Sequence, residues 1–481
     1  MVLLSEAIRV HLLLKQWFMR EDPRLMIERR LSAQNDADVC MFIIYRITNL
    51  ANQTWSIYPA DSLPHTDSRI LISISHCRYA IWQDNDCPGD LDNTDCWLQY
   101  VADHKIFSNW CAEGVDKMKR QLGISIYPDH SSNDEDKAYL ELAQRYGFSR
   151  IFMSMLEVTE GKEIVRKKFT ELLRFAKSLG YETILDVAPA IFEELEISYD
   201  DLTFFHELGA DGIRLDLGFD GSKEAMLTYN PFGLAIELNM SNDVAYLDNI
   251  LTYQANLPFL YGCHNFYPQE GTALPYEFFE KCSQRFKTKG IRTAAFITSQ
   301  SGTIGPWDIN DGLPTLEMHR HLPVEIAAKH LFATGLIDDV IIGNAYASEA
   351  ELAALGAINR YQTEFSVTFT PESTSCERKI VLKEQHYRRG DITDRMIRST
   401  EVRKKYKQFD NPAHDNLEEF QPGDIVIGND DFGKYKNELQ VVLTPHCDPR
   451  KNKVGSIVAE ERLLLSYIHP WTKFKFTERN D

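Results

Sequence analysis

Residues 212–219 read GIRLDLGF. Ile213, Leu215 and Leu217, with Gly212 and Arg214 beside them, suit a strand buried in a sheet, yet Asp216 stands among them. An ionised carboxylate is costly to bury and requires a partner or a task. The same design recurs along the chain. Apolar runs occur at 122–128 (LGISIYP), 149–155 (SRIFMSM), 182–189 (ETILDVAP), 234–241 (LAIELNMS), 260–268 (LYGCHNFYP), 291–298 (IRTAAFIT) and 338–348 (DDVIIGNAYAS). Between most of them lie amphipathic stretches with helical spacing, such as EDKAYLELAQRYG and EIVRKKFTELLRFAKSLG, the latter closed by Gly180 as a helix end should be. Eight strand–helix units within residues 122–348 predict an α/β fold, a (β/α)8 TIM barrel. A doubly wound open sheet is the competitor, disfavoured by the eight units and by the lack of a GxGxxG loop.

In such a barrel the carboxyl ends of the strands form the face where chemistry occurs, so polar residues ending buried strands are expected there. They recur strand after strand: Tyr127 and Asp129, Ser154 and Glu157, Asp186, Asp216 and Asp220, Glu237, Asn239 and Asn242, then His264, Asn265 and Tyr267, Gln300 and Asn344. Each alone has an ordinary reading. Asp220 suits a helix cap, Asp129 and Glu157 suit loops, and a lone His264 suits a hydrogen-bonded core. Their convergence on one face is what points to a site.

The 481 residues suffice for two or three domains. A net charge of −19 argues against general nucleic-acid binding and against docking on an anionic membrane, both of which need a basic surface. No run of 18 apolar residues predicts a transmembrane helix, and the N-terminus lacks a basic start and a small-residue cleavage site. Nine cysteines without paired spacing fit reduced thiols in a cytoplasmic chain and carry no metal signature.

Residues 1–117 differ from the rest. They hold five of the seven tryptophans but only two of the 25 glycines, and neither motif nor strand–helix rhythm. Glu113-Gly114-Val115, encodable as a purine-rich ribosome-binding tract, precedes Met118 by a few codons. The expectation is that residues 1–117 are an atypical segment, translated upstream DNA or a disordered extension, with the true start at Met118; a genuine extra domain is the alternative. The barrel then spans 118–361. From about Tyr361 the runs FSVTFTPE, RKIVLKEQHYR, MIRSTEV, DIVIGNDD, ELQVVLTP, VGSIVAEERLLLSYI and TKFKFTE, separated by turn signals, predict a small closed β-barrel over 362–481.

Taken together, GISIYP, GFSRIFMSML, the strand ending DVAP, GIRLDLGF, IELNMSN, HNFYP, GLPTLEMHR and DDVIIGNAYAS resemble the bacterial 6-phospho-N-acetylmuramidases, in order and spacing, from Met118 to near the C-terminus. The resemblance implies a TIM barrel followed by a cyclophilin-like β-barrel. It also implies a cytoplasmic glycosidase of cell-wall recycling that splits 6-phospho-N-acetylmuramic acid from N-acetylglucosamine. Residues 1–117 have no counterpart in the family.

Glycoside hydrolysis ordinarily uses one carboxyl group to protonate the leaving oxygen and a second to attack or to activate water. Asp186 and Asp216 end neighbouring strands, spaced about 4.8 Å, and Glu237 ends the next. These three are the expected catalytic residues, with the division of acid, nucleophile and base left open, as is an acetamide-assisted route. Tyr127, Asn239, His264, Asn265, Tyr267, Glu317 and Arg320 are expected to bind substrate, with His319 beside them and Tyr127 and Phe266 stacking on a sugar face. Gly343, Asn344 and Ser348, at the helix start after the eighth strand, are expected to cradle phosphate, with Arg398 a further candidate. No cofactor and no metal is expected. The expected partner is the phosphorylated amino-sugar disaccharide, without nucleic acid or membrane; nothing in the sequence speaks to oligomeric state. A phosphosugar isomerase or aldolase on the same fold and a non-catalytic phosphosugar-binding protein are the competing readings.

Overall fold

The computed structural model describes residues 54–59, 70–74, 77–84, 120–155, 162–188, 191–192, 197–198 and 201–479. The chain divides into two units, Met1–Met118 and Lys119–Asp481. In the first, the described backbone is a three-stranded antiparallel sheet of Thr54–Pro59, Ile70–Ile74 and Cys77–Asp84, with the last strand in the middle. No strand rhythm is legible there in the sequence.

The second unit opens with a closed, all-parallel barrel of eight strands: β1 Gln121–Ile126, β2 Arg150–Ser154, β3 Glu182–Val187, β4 Gly212–Leu215, β5 Ala235–Asn239, β6 Leu260–Cys263, β7 Arg292–Ile297 and β8 Asp339–Ile342. Each strand pairs with its sequence neighbour, and β8 returns to β1. The outward positions, among them Leu122, Ile124, Ile151, Ile213 and Ile236, are fully buried beneath the helices. Those helices include α1 Asn133–Arg145, α2 Lys162–Ser178, α3 Thr203–Leu208, α4 Ser222–Leu227, α5 Tyr246–Thr252, α6 Tyr276–Lys287, α7 Val324–Ala333 and α8 Glu349–Ala357. Local signals set their ends: Ser132 and Glu135 form a capping box on α1, and Ser348 and Glu351 form one on α8. At the start of β4, a Cβ on Gly212 would fall 2.7 Å from the Ala235 carbonyl oxygen, so only glycine lets β5 approach.

The strands that follow are β9 Thr363–Phe369, β10 His386–Tyr387, β11 Met396–Ser399, β12 Asp424–Gly428, β13 Leu439–Val442, β14 Lys451–Ile457 and β15 Lys473–Glu478, in the order β10-β15-β9-β14-β12-β13-β11. The two edges approach: the Arg389 N–H donates to the Arg398 carbonyl, and His386 meets the Ser399 hydroxyl at 3.0 Å. The result is a nearly closed barrel. One expectation fails in detail. RKIVLK is not strand but most of helix α9, Ser375–Lys383, because Thr374 and Glu377 form a capping box that starts a helix. Likewise VGSIVAEERLLLSYI is strand only to Ile457 and then a 3-10 segment, Ala459–Tyr467.

Candidate functional site

Asp186, Arg214 and Glu237 stand opposite one another in register across β3, β4 and β5, so their side chains share a face. That face is the barrel interior, since Arg150 of β2 forms ion pairs with both Glu237 of β5 and Asp339 of β8. At the carboxyl end of this row Arg214 is the hub. Its Nη1 donates to Asp186 Oδ1 at 2.5 Å and to Asp216 Oδ1 at 3.2 Å, and its Nη2 donates to Asn265 Oδ1. The charge in GIRLDLGF therefore has a partner two residues before it.

The two aspartates differ in hydration. Asp186 is buried, and burial, reinforced by the Asp216 charge and opposed by Arg214, pushes its carboxyl up to about 6. The Asp216 side chain keeps 33% of its exposure and lies at the rim. One nitrogen held at 2.5 and 3.2 Å from the two oxygens limits their separation to under about 6 Å, nearer the ~5–5.5 Å of retaining glycosidases than the ~6.5–9.5 Å of inverting ones.

Glu237, one of the three expected catalytic residues, is fully enclosed and ion-paired with Arg150. Arg150 in turn holds Asp339, which Arg292 also contacts at 2.6 Å. Glu237 is thus one member of a charged lattice filling the barrel, although its Oε1 has no partner.

Around Asp216 the rim keeps several expected groups together. Asn239 Nδ2 donates to the Asp216 carbonyl at 3.3 Å, and Asn265 rests on Arg214. Tyr267 is half-buried, and Phe266 packs edge-on against Phe152 and Phe296. Trp307, 40% exposed, lies 6.0 Å from the Phe266 ring and extends that aromatic surface; it is a residue the sequence reading missed. Arg214 was missed too, although a cation two residues before a strand-end carboxylate was its signal.

Other expected residues are placed by the contacts they make. Tyr127 is buried with its hydroxyl donating to the Gly343 carbonyl, and burial drives that phenol well above its usual range, so it offers no face to a sugar. His264 points into the barrel wall. Its nitrogens meet the Ser241 and Ser283 hydroxyls at 3.1 and 2.8 Å, its ring packs on Phe279, and burial lowers it to about 3. Arg320 is buried, donating to the carbonyls of Tyr267, Asp311, Gly312 and Gln269 and gripping Glu317 with two nitrogens. Glu317 also accepts the N–H groups of Gly271 and Ala273, and these bonds, Arg320 first, hold it down at about 2. The pair ties loops together and has no valence left for substrate. His319 is buried against His330, 2.7 Å between ring nitrogens.

The residues of the expected phosphate cradle make their bonds within the protein. The Gly343 N–H donates to Ile297, and the Asn344 amide is used up by Thr298, Ser299 and Gly302. At Ser348 the Glu351 carboxylate already fills the helix start, accepting from Ser299, Ser301 and Ser348, and those bonds lower it to about 2 despite burial. An anion is present there, so a second is repelled. Arg398 is paired with buried Glu438 at 2.7 Å. Asp129 pairs with Lys168, and Asp220 accepts the Lys223 N–H at the start of α4. Gln300 donates to the Arg320 carbonyl. Glu157 lies outside the described residues.

Among the described residues no group of three or more His, Cys, Asp or Glu is placed to hold a metal ion, and no helix is long and apolar enough to cross a membrane. A closed parallel barrel whose strand ends converge on an arginine-bridged carboxylate pair defines the class: a TIM-barrel protein with an acidic centre on its carboxyl-terminal face. Residues 122–357 match the family model described as 6-phospho-N-acetylmuramidase, N-terminal, and residues 363–477 match 6-phospho-N-acetylmuramidase, C-terminal. The chain belongs to the 6-phospho-N-acetylmuramidase family. It is similar to the crystal structure of an uncharacterized B. cereus protein, with 57% identity, 75% of this chain and 100% of that one covered, and a TM-score of 0.70. It is also similar to a conserved protein of unknown function from Enterococcus faecalis, at 25% identity, with 75% of this chain and 97% of that one covered and a TM-score of 0.57. No curated protein matches the chain.

Proposed function

We propose that this protein is a cytoplasmic glycosidase that hydrolyses the bond between 6-phospho-N-acetylmuramic acid and N-acetylglucosamine, in the recycling of cell-wall fragments. The observation that carries the reading is the Asp186–Arg214–Asp216 constellation at the strand ends of a barrel of this family.

In this reading Asp186, pushed up to about 6, is the proton donor. It protonates the bridging oxygen as the C1–O bond breaks, and N-acetylglucosamine leaves with its hydroxyl restored. Asp216, held by Arg214, meets the electron-poor anomeric carbon, either directly or by orienting the substrate's acetamide. Water then attacks C1, its hydroxyl displacing the Asp216 carboxylate or the acetamide oxygen, and gives a proton back to Asp186. Glu237 becomes a positioning residue: a fixed charge beneath the pair that helps Asp186 keep its proton. Asn239, Asn265 and Tyr267 supply hydrogen bonds, and Phe266 with Trp307 a ring-sized apolar surface. No lysine occurs on any of the eight strands, which counts against a Schiff-base aldolase. The domain division that goes with this reading is 1–117 outside the enzyme, the barrel over 118–361, and a cyclophilin-like barrel over 362–481.

The test is incubation with the phosphorylated and unphosphorylated disaccharides, following the first anomer formed by NMR. Selective cleavage of the phosphorylated form with retained configuration is expected. Equal rates on both substrates defeat the phosphosugar assignment, and inversion defeats the close carboxylate pair.

A further inference from the structure

Beside Asp216 a cleft of about 270 Å3 opens at the rim. Its walls include Asp216, Leu217, Asn239, Asn242, Val244 and Arg285. The volume falls just under the ~300–1,000 Å3 of pockets for drug-sized ligands, the scale of one sugar ring rather than two. The walls are built rather than incidental. Buried Glu224 accepts the N–H groups of Phe219 and Gly221 and the Tyr246 hydroxyl at 2.6 Å, fixing the loop after β4 against α5. Gly218 lies so close to Tyr246 that an added Cβ would stand 2.3 Å from its hydroxyl oxygen.

The charges decide what enters. The cation, Arg285, is committed: its Nη2 lies 2.7 Å from Asp243, and its Nη1 donates to the Val244 carbonyl. A carboxylate, Asp216, forms the inner wall. A phosphate dianion or a lactyl carboxylate entering this cleft would meet like charge without a free counter-charge. A neutral ring meets suitable chemistry. The Asn242 side chain is exposed and makes no hydrogen bond within the described residues, while Leu217 and Val244, 61% and 56% exposed, offer apolar edges for C–H faces.

We propose that this cleft holds the neutral leaving sugar, N-acetylglucosamine, with Asn242 bonding its hydroxyl or acetamide groups and Leu217 and Val244 packing on its ring. The assignment rests on the glycosidase reading above and adds to it the side of Asp216 on which the uncharged half of the substrate lies. Asn242 and Val244 then set leaving-group specificity rather than the rate of bond cleavage as such.

The experiment compares two substrates with the same phosphorylated muramyl group, the disaccharide and an aryl glycoside with an umbelliferyl leaving group, in wild type, Asn242→Ala and Val244→Ala. The expected result in Asn242→Ala is a fall of about tenfold in the ratio of kcat/KM for disaccharide over aryl substrate, the size of one lost hydrogen bond to a bound polar group, and in Val244→Ala a fall of about fourfold, the size of roughly one buried CH2. A second readout needs no turnover: N-acetylglucosamine alone, titrated by calorimetry, binds wild type and loses affinity in Asn242→Ala. An unchanged ratio with equal sugar binding in all three proteins overturns the cleft assignment while leaving hydrolysis intact. Wild type that cleaves neither substrate overturns the glycosidase reading, and sugar binding that is nonetheless sensitive to Asn242 then still supports the cleft.

Discussion

Asp186 and Asp216 share one guanidinium nitrogen but not one environment, and their proposed division of labour follows from that difference. Asp186→Asn and Asp216→Asn are each expected to lower turnover at least a hundredfold, within the ~10²–10⁴-fold contribution of acid–base groups. Asp216→Asn, at a half-exposed site, should shift unfolding free energy by only about 0.5 kcal/mol in denaturant titration. Loss of folding in that variant would make Asp216 structural. Burial raises Asp186, so its protonated fraction falls as pH rises through about 6. A kcat/KM profile should therefore decline on the alkaline side of that value, and the decline should vanish in the residual activity of Asp186→Asn. The acidic pair was legible in the sequence because each member ends an apolar run. Arg214 was only half legible, because its partner Asp216 is local but the others that make it a hub, Asp186 on β3 and Asn265, are distant along the chain.

At the scale of elements, the rhythm of apolar runs was enough to place all eight barrel strands, since period and length are local properties. The readings that failed did so where a short stretch suits two structures. RKIVLK is apolar enough for a strand, but T-S-C-E just before it is a capping box, and the helix won. The start of α8 has the same double meaning: S-x-x-E at Ser348 and Glu351 caps the helix terminus expected to cradle phosphate. Glu351→Gln is accordingly expected to leave KM for the phosphosugar within twofold and to lower stability; a large KM effect with an intact fold would restore the cradle. Arg320 likewise joins loops, through Glu317 and four carbonyl oxygens. Arg320→Met strands Glu317 and four carbonyl oxygens, at a cost on the order of 3–5 kcal/mol in equilibrium unfolding. A smaller loss accompanied by a selective rise in KM would return Arg320 to the binding site.

For the molecule as a whole, several histidines are buried in their neutral form: His264 lowered to about 3, and His330 and His386 to about 4, by burial in each case. His330 also joins barrel to β-domain, 2.8 Å from the Tyr467 hydroxyl, beside the Lys329–Glu461 ion pair. Their folded values lie below the unfolded value near 6.5, so their stabilising contribution is complete above that pH and is lost as pH falls toward 4 and then 3. Thermal midpoints should drop from pH 7 to pH 4.5, the three histidines outweighing the opposite contribution of Asp186, whose raised carboxyl takes up a proton in the folded state over the same range, before the low-lying carboxylates Glu317 and Glu351 add their own loss. A flat profile over that interval would contradict the buried neutral histidines. The domain proposal makes a separate prediction: a chain beginning at Met118 should fold and keep the activity of the full-length protein, and loss of solubility or activity would make residues 1–117 part of the enzyme.

The reading of the acidic centre is tested most directly by mass spectrometry of the products from the phosphorylated disaccharide, with wild type and Asp216→Asn at equal concentrations. Wild type should release N-acetylglucosamine and 6-phospho-N-acetylmuramic acid, and the folded variant should leave the disaccharide essentially intact. Intact disaccharide with wild type, or equal release by both proteins, would contradict it.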